Sequence, residues 1–230
     1  MDILLNFSKH ITFLTGAGIS TGVGIPDFRG NGTSSETRPD FSKFSPGIVH
    51  KYISDMTNTN KVQYVLTQNI DDLHRDITTD KLTELHGNVK KKTLVDFNTS
   101  LHVKDINKAY SILEKTDLLI IMGTSLMVSP VNKFPTIVLN NGGNVVIINK
   151  DPTDLDDRAG LVYRHDVEDV LCDMKGIFDG KTSYLEPTII RGFPNGHVNT
   201  CKQWDCNICT YTNRFTKLSC EICKSPSKTV

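Results

Sequence analysis

Short apolar runs recur along the chain and are separated by segments with a different periodicity. The runs are rich in Val, Ile and Leu and are bordered by turn residues: ITFLT (11–15), VQYVLT (62–67), DLLIIMGT (117–124) and NVVIIN (144–149). Uninterrupted apolar runs of this length are typical of parallel strands that are buried on both faces. We therefore predict a strand at each run.

Two longer segments carry the apolar spacing of amphipathic helices. In 103–116, Ile106, Tyr110 and Leu113 fall on one helical face. The segment 166–178 does the same with Val167, Val170, Leu171 and Met174. Strands that alternate with helices predict an α/β fold with a doubly wound, Rossmann-like parallel sheet.

The regular pattern ends near residue 178. Residues 179–200 are dominated by Gly, Pro and polar side chains, which is typical of a linker. The remaining residues, 201–230, are too few to bury a conventional core. We predict a main domain over 1–178, a linker over 179–200 and a small C-terminal unit over 201–230.

Charge and hydropathy argue against several partners. The chain has 26 Lys and Arg against 26 Asp and Glu, so no net field draws it to nucleic acid or to a membrane surface. The first residues lack the basic leader and apolar core of a signal peptide, and the longest apolar run, LLIIM at 118–122, is too short to span a bilayer. We expect an intracellular protein, in the nucleus or the cytoplasm, with no membrane partner.

A glycine-rich stretch, GAGISTGVGIPDFRG (16–30), follows the first predicted strand. Glycines let backbone N–H groups approach an anion closely, and a dinucleotide pyrophosphate binds at this place in Rossmann-like sheets. Gly16, Ala17 and Gly18 come directly after the strand. Taken alone, the loop is equally compatible with a tight turn.

Polar motifs lie elsewhere along the predicted sheet. They are TQNIDDLH (67–74), ELHGN (84–88) after a patch that we interpret as helical, GTSL (123–126) and IINKDP (147–152). The carboxyl ends of parallel strands share one edge, where open α/β sheets bind ligands. The sequence therefore predicts one ligand site built from several loops.

The order and wording of these motifs resemble the sirtuins, the NAD-dependent protein deacylases, over residues 11–178. The details DKLTELHGN, TLVDFNTSL and GGNVVIINKDPTDLDDRA are most similar to the class IV branch. The resemblance implies NAD as cofactor, an acylated protein lysine as substrate, and Asn69 and His86 as catalytic residues. The implied cofactor-binding residues are Ala17, Gly18, Thr21, Asp27, Phe28, Arg29, Gln68, Asp71, Gly123, Thr124, Ser125, Asn149, Asp151 and Val167.

The resemblance implies that His86 is the general base, which removes a proton from a ribose hydroxyl. Histidine suits this step because its pKa lies near the working pH. Outside this context such a histidine more often caps a turn, but the flanking motifs favour the base. His50, in SPGIVHKYI, resembles a structural histidine at a helix start in this family.

The chain departs from the family at the small domain. Sirtuins typically insert a zinc ribbon with two cysteine pairs between the HG motif and the next strand. Here only VKKKTLV (89–95), without cysteine, separates Asn88 from Asp96. The stretch from Arg29 to Gln68 is also short. We expect a reduced small domain, so NAD binding follows from the sequence more directly than catalysis on acyl-lysine.

The C-terminal unit carries two C-x₂-C pairs, Cys206 with Cys209 and Cys220 with Cys223. Four thiolates at this spacing predict a tetrahedral Zn²⁺ site that supplies the folding energy of the segment. The segment resembles the NZF and Ran-binding-protein zinc fingers, which implies ubiquitin contacts through Thr210, Tyr211 and Ile222. Relatives of this finger bind single-stranded RNA, so RNA and a structural spacer remain alternatives.

Three functions are therefore open. The first is a protein-lysine deacylase that consumes NAD and is directed by a ubiquitin-binding finger. The second is an NAD glycohydrolase or a mono-ADP-ribosyltransferase, which a reduced small domain permits. The third is a weakly active NAD- or ADP-ribose-binding adaptor for ubiquitylated or RNA-bound partners. The presence of Asn69, Asp71 and His86 argues against the third.

Overall fold

The computed structural model describes residues 8–27, 39–95, 99–175, 185, 187–190, 204–205 and 212–213. Within these residues, its centre is a seven-stranded sheet in the order β3-β2-β1-β4-β5-β6-β7. The strands are β1 Ile11–Thr15, β2 Tyr64–Thr67, β3 Leu82–Glu84, β4 Leu118–Met122, β5 Asn144–Ile148, β6 Leu161–Tyr163 and β7 Ile189–Ile190. All neighbours pair in parallel except β7, which runs antiparallel to β6.

Helices connect and cover the strands. The α-helices are α1 Ile48–Asn58, α2 Val103–Leu113, α3 Phe134–Asn140 and α4 Val167–Lys175. Short 3₁₀ helices lie at Ala17–Ile19, Thr21–Val23, Phe41–Lys43 and Val131–Lys133. Two further strands, β8 Trp204–Asp205 and β9 Thr212–Asn213, form a separate antiparallel pair. None of the helices in the described part of the chain has the length and apolarity needed to cross a bilayer.

The sheet has a hydrophobic core on each face. Leu118, Ile120 and Met122 of β4 pack in one cluster with apolar side chains of α1 and α4. Leu119 and Ile121 pack in the other cluster with side chains of α2 and α3. Successive side chains of a strand point to opposite faces, so a strand covered on both sides must be apolar throughout. This explains the uninterrupted apolar runs of the sequence.

The predicted α/β fold with a Rossmann-like parallel sheet is confirmed. Each of the four predicted strands forms, with ends trimmed by at most two residues, as β1, β2, β4 and β5. Both predicted helices form; α2 ends at Leu113, three residues before the predicted end, and α4 is described over Val167–Lys175. The helix start expected in SPGIVHKYI, around His50, is the start of α1, which begins at Ile48.

The interpretation of a helical patch before ELHGN is wrong. Leu82, Thr83 and Glu84 form β3, which pairs in parallel with β2, Leu82 opposite Val65. A strand of three residues is too short to show a periodicity of its own, so its partner strand decides its conformation. The same shortness hid β6 from the sequence analysis.

Part of the predicted linker 179–200 belongs to the sheet. The backbone N–H of Thr188 donates to the Val162 carbonyl at 2.7 Å, and Ile189 and Ile190 pair with β6. Leu185 packs against the core. The backbone at 188–190 therefore pairs with β6 inside the segment predicted as a linker.

Candidate active site

A cavity of about 1010 Å³ opens at the carboxyl ends of the central strands. The chain winds outward in opposite directions from β1 and β4, and the crevice of a doubly wound sheet lies at such a switch point. Residues that the sequence analysis assigned to the site line this cavity. They are Ala17, Gly18, Thr21, Asp27, Gln68, Asn69, His86, Gly123, Thr124, Ser125, Asn149, Asp151 and Val167.

Two backbone loops touch at the centre of the cavity wall. The N–H of Gly18 donates to the carbonyl of Gly123 at 2.8 Å, and a Cβ on Gly18 would lie 2.7 Å from the Gly123 Cα. Gly123 has a φ of +61°, and a Cβ there would lie 2.6 Å from the Ile19 nitrogen. These glycines therefore permit loop-to-loop packing, and that packing holds the bare backbone of 16–18 at the cavity.

Gln68 and Thr124 join the loops that follow β2 and β4. The Gln68 Nε2 donates to the Thr124 Oγ1 at 2.9 Å, and this hydroxyl also accepts the N–H of Leu126. The two positions are 56 residues apart in the sequence. Their hydrogen bond fixes two polar side chains across the end of β1.

His86 lies in the turn after β3, half-buried against the loop after β2. Its Nδ1 is 3.0 Å from the Gln68 carbonyl oxygen, which can only accept, so Nδ1 carries the proton. Nε2 is then the basic nitrogen of the neutral ring. Burial lowers the pKa of His86, and the hydrogen bond to Gln68 opposes this shift. The ring thus stays in its basic form below the pH at which an exposed histidine is protonated.

Asn69 is held by a buried network. Its Nδ2 donates to the Ser20 Oγ at 3.2 Å, and that hydroxyl donates to the Asp71 Oδ2 at 2.7 Å. Because the single Ser20 proton goes to Asp71, the His50 Nε2 at 3.2 Å must donate to Ser20. The network fixes the amide of Asn69 at the cavity and satisfies the carboxylate behind it.

Asp71 occupies a different layer from the other predicted residues. It is buried, accepts from Ser20 and from the N–H of Leu73, and does not appear among the described lining residues. In this geometry it orients the residues of the wall. Its predicted contact with the cofactor stays a prediction.

A second buried histidine, His74, was not among the residues predicted from the sequence. Its Nε2 contacts the Thr15 Oγ1 at 3.0 Å, and its ring packs edge to face against His50. Burial lowers the pKa of His50 to about 4, and burial with the neighbouring His50 ring lowers the pKa of His74 to about 3. The only sequence signal was its place at the end of TQNIDDLH.

The described lining of the cavity also includes apolar side chains. Among them are Leu94, Val95, Leu101, Ile106 and Val128. Asn149, Asp151 and Val167, from the loops after β5 and β6, belong to the same lining. The cavity therefore combines polar groups, His86 among them, with apolar side chains.

Several predicted residues lie outside the described residues. They are Phe28, Arg29, the four cysteines Cys206, Cys209, Cys220 and Cys223, and the finger residues Thr210, Tyr211 and Ile222. In the part of the chain that is described, no group of three or more His, Cys, Asp or Glu side chains could hold a metal.

Comparison with known proteins supports a common origin for this site. The sequence model described as the Sir2 family matches residues 33–108. An NAD-dependent protein deacetylase of Staphylococcus epidermidis is 31% identical over 229 residues, which cover 73% of this chain and 92% of that protein. This chain belongs to the Sir2 family.

Further Sir2 relatives show the same similarity. The NAD-dependent protein deacetylase of Thermotoga maritima is 31% identical over 71% of this chain and 91% of its own length. The rice NAD-dependent protein deacetylase SRT1 is 29% identical over 74% of this chain, which spans 46% of that plant protein. The chain thus spans about half of the plant relative and about nine-tenths of the bacterial ones.

Solved Sir2 structures share the fold. A Sir2 complex with a p53 peptide and NAD⁺ matches with a TM-score of 0.68 and 29% identity, over 76% of this chain and 96% of that one. Sir2Tm bound to a propionylated peptide matches with a TM-score of 0.67 and 28% identity, over 76% of this chain and 97% of that one. The resemblance to sirtuins and the Rossmann-like fold are confirmed.

Proposed function

We propose that this chain is an NAD-dependent protein-lysine deacylase, which transfers the acyl group to ADP-ribose and releases nicotinamide. The observation that carries the proposal is the state of His86. Its Nδ1 proton is engaged by Gln68, and its basic Nε2 belongs to a ring that lines the same cavity as the glycine loop. A general base with a pKa below the working pH is suited to proton abstraction.

The residues present fit NAD. Gly18 and Gly123 keep the loop after β1 free of side chains where a Cβ would collide, which leaves bare backbone to face a pyrophosphate. Asn149 and Asp151, which also line the cavity, supply polar groups for a ribose. Asn69 supplies an amide, held in place by Ser20.

The chain's own groups define the reaction steps. When bound, NAD supplies a ribose carbon that becomes electrophilic as nicotinamide leaves. Asn69 orients the nicotinamide end, and its amide is fixed by the Ser20 hydrogen bond. The Nε2 of His86 accepts the proton of a ribose hydroxyl, which lets the sugar oxygen take the acyl group. Walls of Leu94, Leu101 and Ile106 exclude water from the acyl side.

The apolar side chains of the lining, such as Leu94, Leu101 and Ile106, favour an acylated lysine as the substrate. The transfer of an uncharged acyl chain from water to an apolar wall is favourable, whereas the transfer of a charged lysine is unfavourable. A solved relative binds a propionylated peptide. The similarity to class IV members, which rests on the sequence motifs, adds to the proposal that a protein lysine is the target.

The test is a product analysis. The full chain is incubated with NAD and with acetyl- and longer acyl-lysine peptides, and His86→Ala serves as control. We expect O-acyl-ADP-ribose and nicotinamide from the unmodified protein. Free ADP-ribose alone would indicate a glycohydrolase, which the short 89–95 segment favours. Unchanged NAD that nevertheless binds would indicate an adaptor.

For the C-terminal unit, we propose a Zn²⁺-bound finger that binds ubiquitin. Two C-x₂-C pairs provide four thiolates, the donor set of a structural zinc site. The antiparallel pair of β8 and β9 brackets the first of these pairs in the sequence, with Trp204 opposite Asn213. Thr210, Tyr211 and Ile222 are the residues proposed to contact ubiquitin.

An NMR titration of labelled ubiquitin with the full chain tests this proposal. We expect saturable shift changes that Tyr211→Ala abolishes and that zinc removal abolishes as well. Shifts on a single-stranded RNA in place of ubiquitin would assign the finger to RNA, and no shifts on either would leave it a spacer.

A further inference from the structure

The turn that carries His86 is held by a polar cluster around Asn88. In the Sir2 family a zinc ribbon extends from this place, but the described residues here offer no metal-binding group and 89–95 contains no cysteine. We propose that Asn88 is the residue that positions His86, and that this turn keeps its geometry without a metal.

The Asn88 side chain uses all of its hydrogen-bonding groups and is completely buried. Its Nδ2 donates to the Asp72 Oδ1 at 2.9 Å and to the Glu84 Oε1 at 2.5 Å. Its Oδ1 accepts the N–H of Lys91 at 3.1 Å. The amide therefore joins the end of β3, the turn after β2 and the tip of the 89–95 segment.

The backbone of Asn88 closes the same turn. Its N–H donates to the Thr93 Oγ1 at 3.0 Å, and its carbonyl accepts the Thr93 N–H at 3.1 Å. Next to it, the Val95 N–H donates to the His86 carbonyl at 3.1 Å. The residues on either side of the turn are thus tied together, and His86 lies at the base of the tie.

Charges complete the cluster. The Lys91 Nζ lies 2.7 Å from the Glu84 Oε2, and the Lys90 Nζ lies 3.3 Å from the Asp72 Oδ2. The two carboxylates that receive the Asn88 amide are therefore each neutralised from outside. The Lys90 side chain is 74% exposed and the Lys91 side chain 43% exposed, so solvent weakens both ion pairs, and the fully buried amide is the specific element.

The inference rests on the proposed function for its kinetic readout, but a second readout is independent of turnover. Loss of the polar cluster around Asn88 lets the turn open and exposes the His86 ring. The ring's pKa then moves up toward the ordinary value of a histidine, and its Nε2 leaves the productive position. NMR titration of the imidazole, assigned with His86→Gln, reports this in any folded protein.

The experiment compares Asn88→Ala with Lys92→Met, which changes an exposed side chain of the same segment. For Asn88→Ala we expect a higher His86 pKa and a kcat roughly 10- to 100-fold lower, the size expected when a catalytic group is misplaced by about an ångström. The NAD affinity of Asn88→Ala should stay near that of the unmodified protein, and Lys92→Met should keep both the kcat and the His86 pKa. Thr93→Val, at an exposed position, replaces Asn88→Ala if that variant fails to fold. We expect it to change the His86 pKa and the kcat in the same direction but by less.

Metal content is the second arm. A chain in which all four finger cysteines are replaced by serine should bind no zinc and keep its kcat. Zinc retained by that variant would overturn the inference, and so would an unchanged His86 pKa in folded Asn88→Ala or Thr93→Val. If the variants shift the His86 pKa as expected but the unmodified protein never consumes NAD, the proposed function is wrong and the positioning role of Asn88 still holds.

Discussion

His50 and His74 pack edge to face, with ring centroids 5.4 Å apart, in the layer behind Asn69. Neither ring lines the described part of the cavity, and both are almost fully buried. Among the described residues, the Nδ1 of His74 has no hydrogen-bond partner. A protonated imidazole in such a place would be a buried charge beside a second basic ring, so both rings are held neutral.

Acid should therefore destabilise the fold through His74. Its pKa is lowered to about 3 in the folded protein, so below the unfolded value the unfolded chain binds the extra proton. The contribution of neutral His74 to the free energy of unfolding is present above pH ~6.5 and is lost as the pH falls toward about 3. The loss is at most about 1.4 kcal/mol per pH unit for one histidine. Urea unfolding at pH 7, 6, 5 and 4 measures the slope.

His74→Gln should be less stable at pH 7 but should show a flatter loss of stability between pH 6.5 and 4. The exposed His102 is the matched control, because His102→Gln removes a histidine that folding does not bury. If His74→Gln and the unmodified protein lose unfolding free energy at the same rate over this range, His74 does not carry the acid sensitivity.

Ser20→Ala should weaken the nicotinamide end of the site. It removes the hydroxyl that receives Asn69 and His50 and donates to Asp71, so three buried groups lose a partner. Each unsatisfied buried group costs about 1–3 kcal/mol. We expect lower stability, slower nicotinamide release and weaker NAD binding by calorimetry.

The control for Ser20 is Ser42→Ala. The Ser42 hydroxyl also donates to a carboxylate, the Oδ1 of Asp40, but it is exposed and far along the chain from the cavity residues. Its loss should change stability by no more than a few tenths of a kcal/mol. Equal NAD affinities for the two variants would count against the network.

The contrast between His86 and this network shows how far sequence reaches. His86, Gln68 and Gly123 lie in motifs that read locally, and strand ends in a parallel sheet meet at one edge by geometry alone. The network joins Ser20 to His50 and to Asp71, which are 30 and 51 residues away, and Thr15 to His74, 59 residues away. No local pattern encodes such pairings, because the packing of α1 on the sheet and the pairing of β1 with β2 create them.

The short strands were not predicted from the sequence for a related reason. β3 and β6 each contain three residues, and their conformation is decided by a neighbouring strand. The strand at Ile189–Ile190 was not predicted, because the Gly and Pro residues around it are typical of a linker and composition does not show which residues pair with β6. Tertiary contacts override local propensity most easily where an element is short.

His86→Ala should abolish deacylation but spare NAD binding. A general base typically contributes about 10²–10⁴-fold to the rate, and the ring forms no part of the glycine loop. Because burial lowers the pKa of His86, the acid limb of kcat/KM in the unmodified protein should lie below the ordinary histidine value. His10→Ala, at an exposed position, is the control and should retain the full profile. An acid limb at or above pH ~6.5 would contradict a buried base.

Gly123→Ala should damage the site by more than backbone strain. Gly24 offers the comparison: its φ is +91°, and a Cβ there would meet only Phe44 Cε1 at an ordinary 3.7 Å. Gly24→Ala should thus cost about 1–2 kcal/mol, the penalty of a left-handed alanine. Gly123 has a φ of +61° as well, but its Cβ would lie 2.6 Å from the Ile19 nitrogen, so the loop after β1 must move away. Calorimetry should then find NAD binding largely intact in Gly24→Ala and strongly weakened in Gly123→Ala at matched folded fraction. Similar NAD affinities in the two variants would mean that the contact between the loops does not shape the pyrophosphate site.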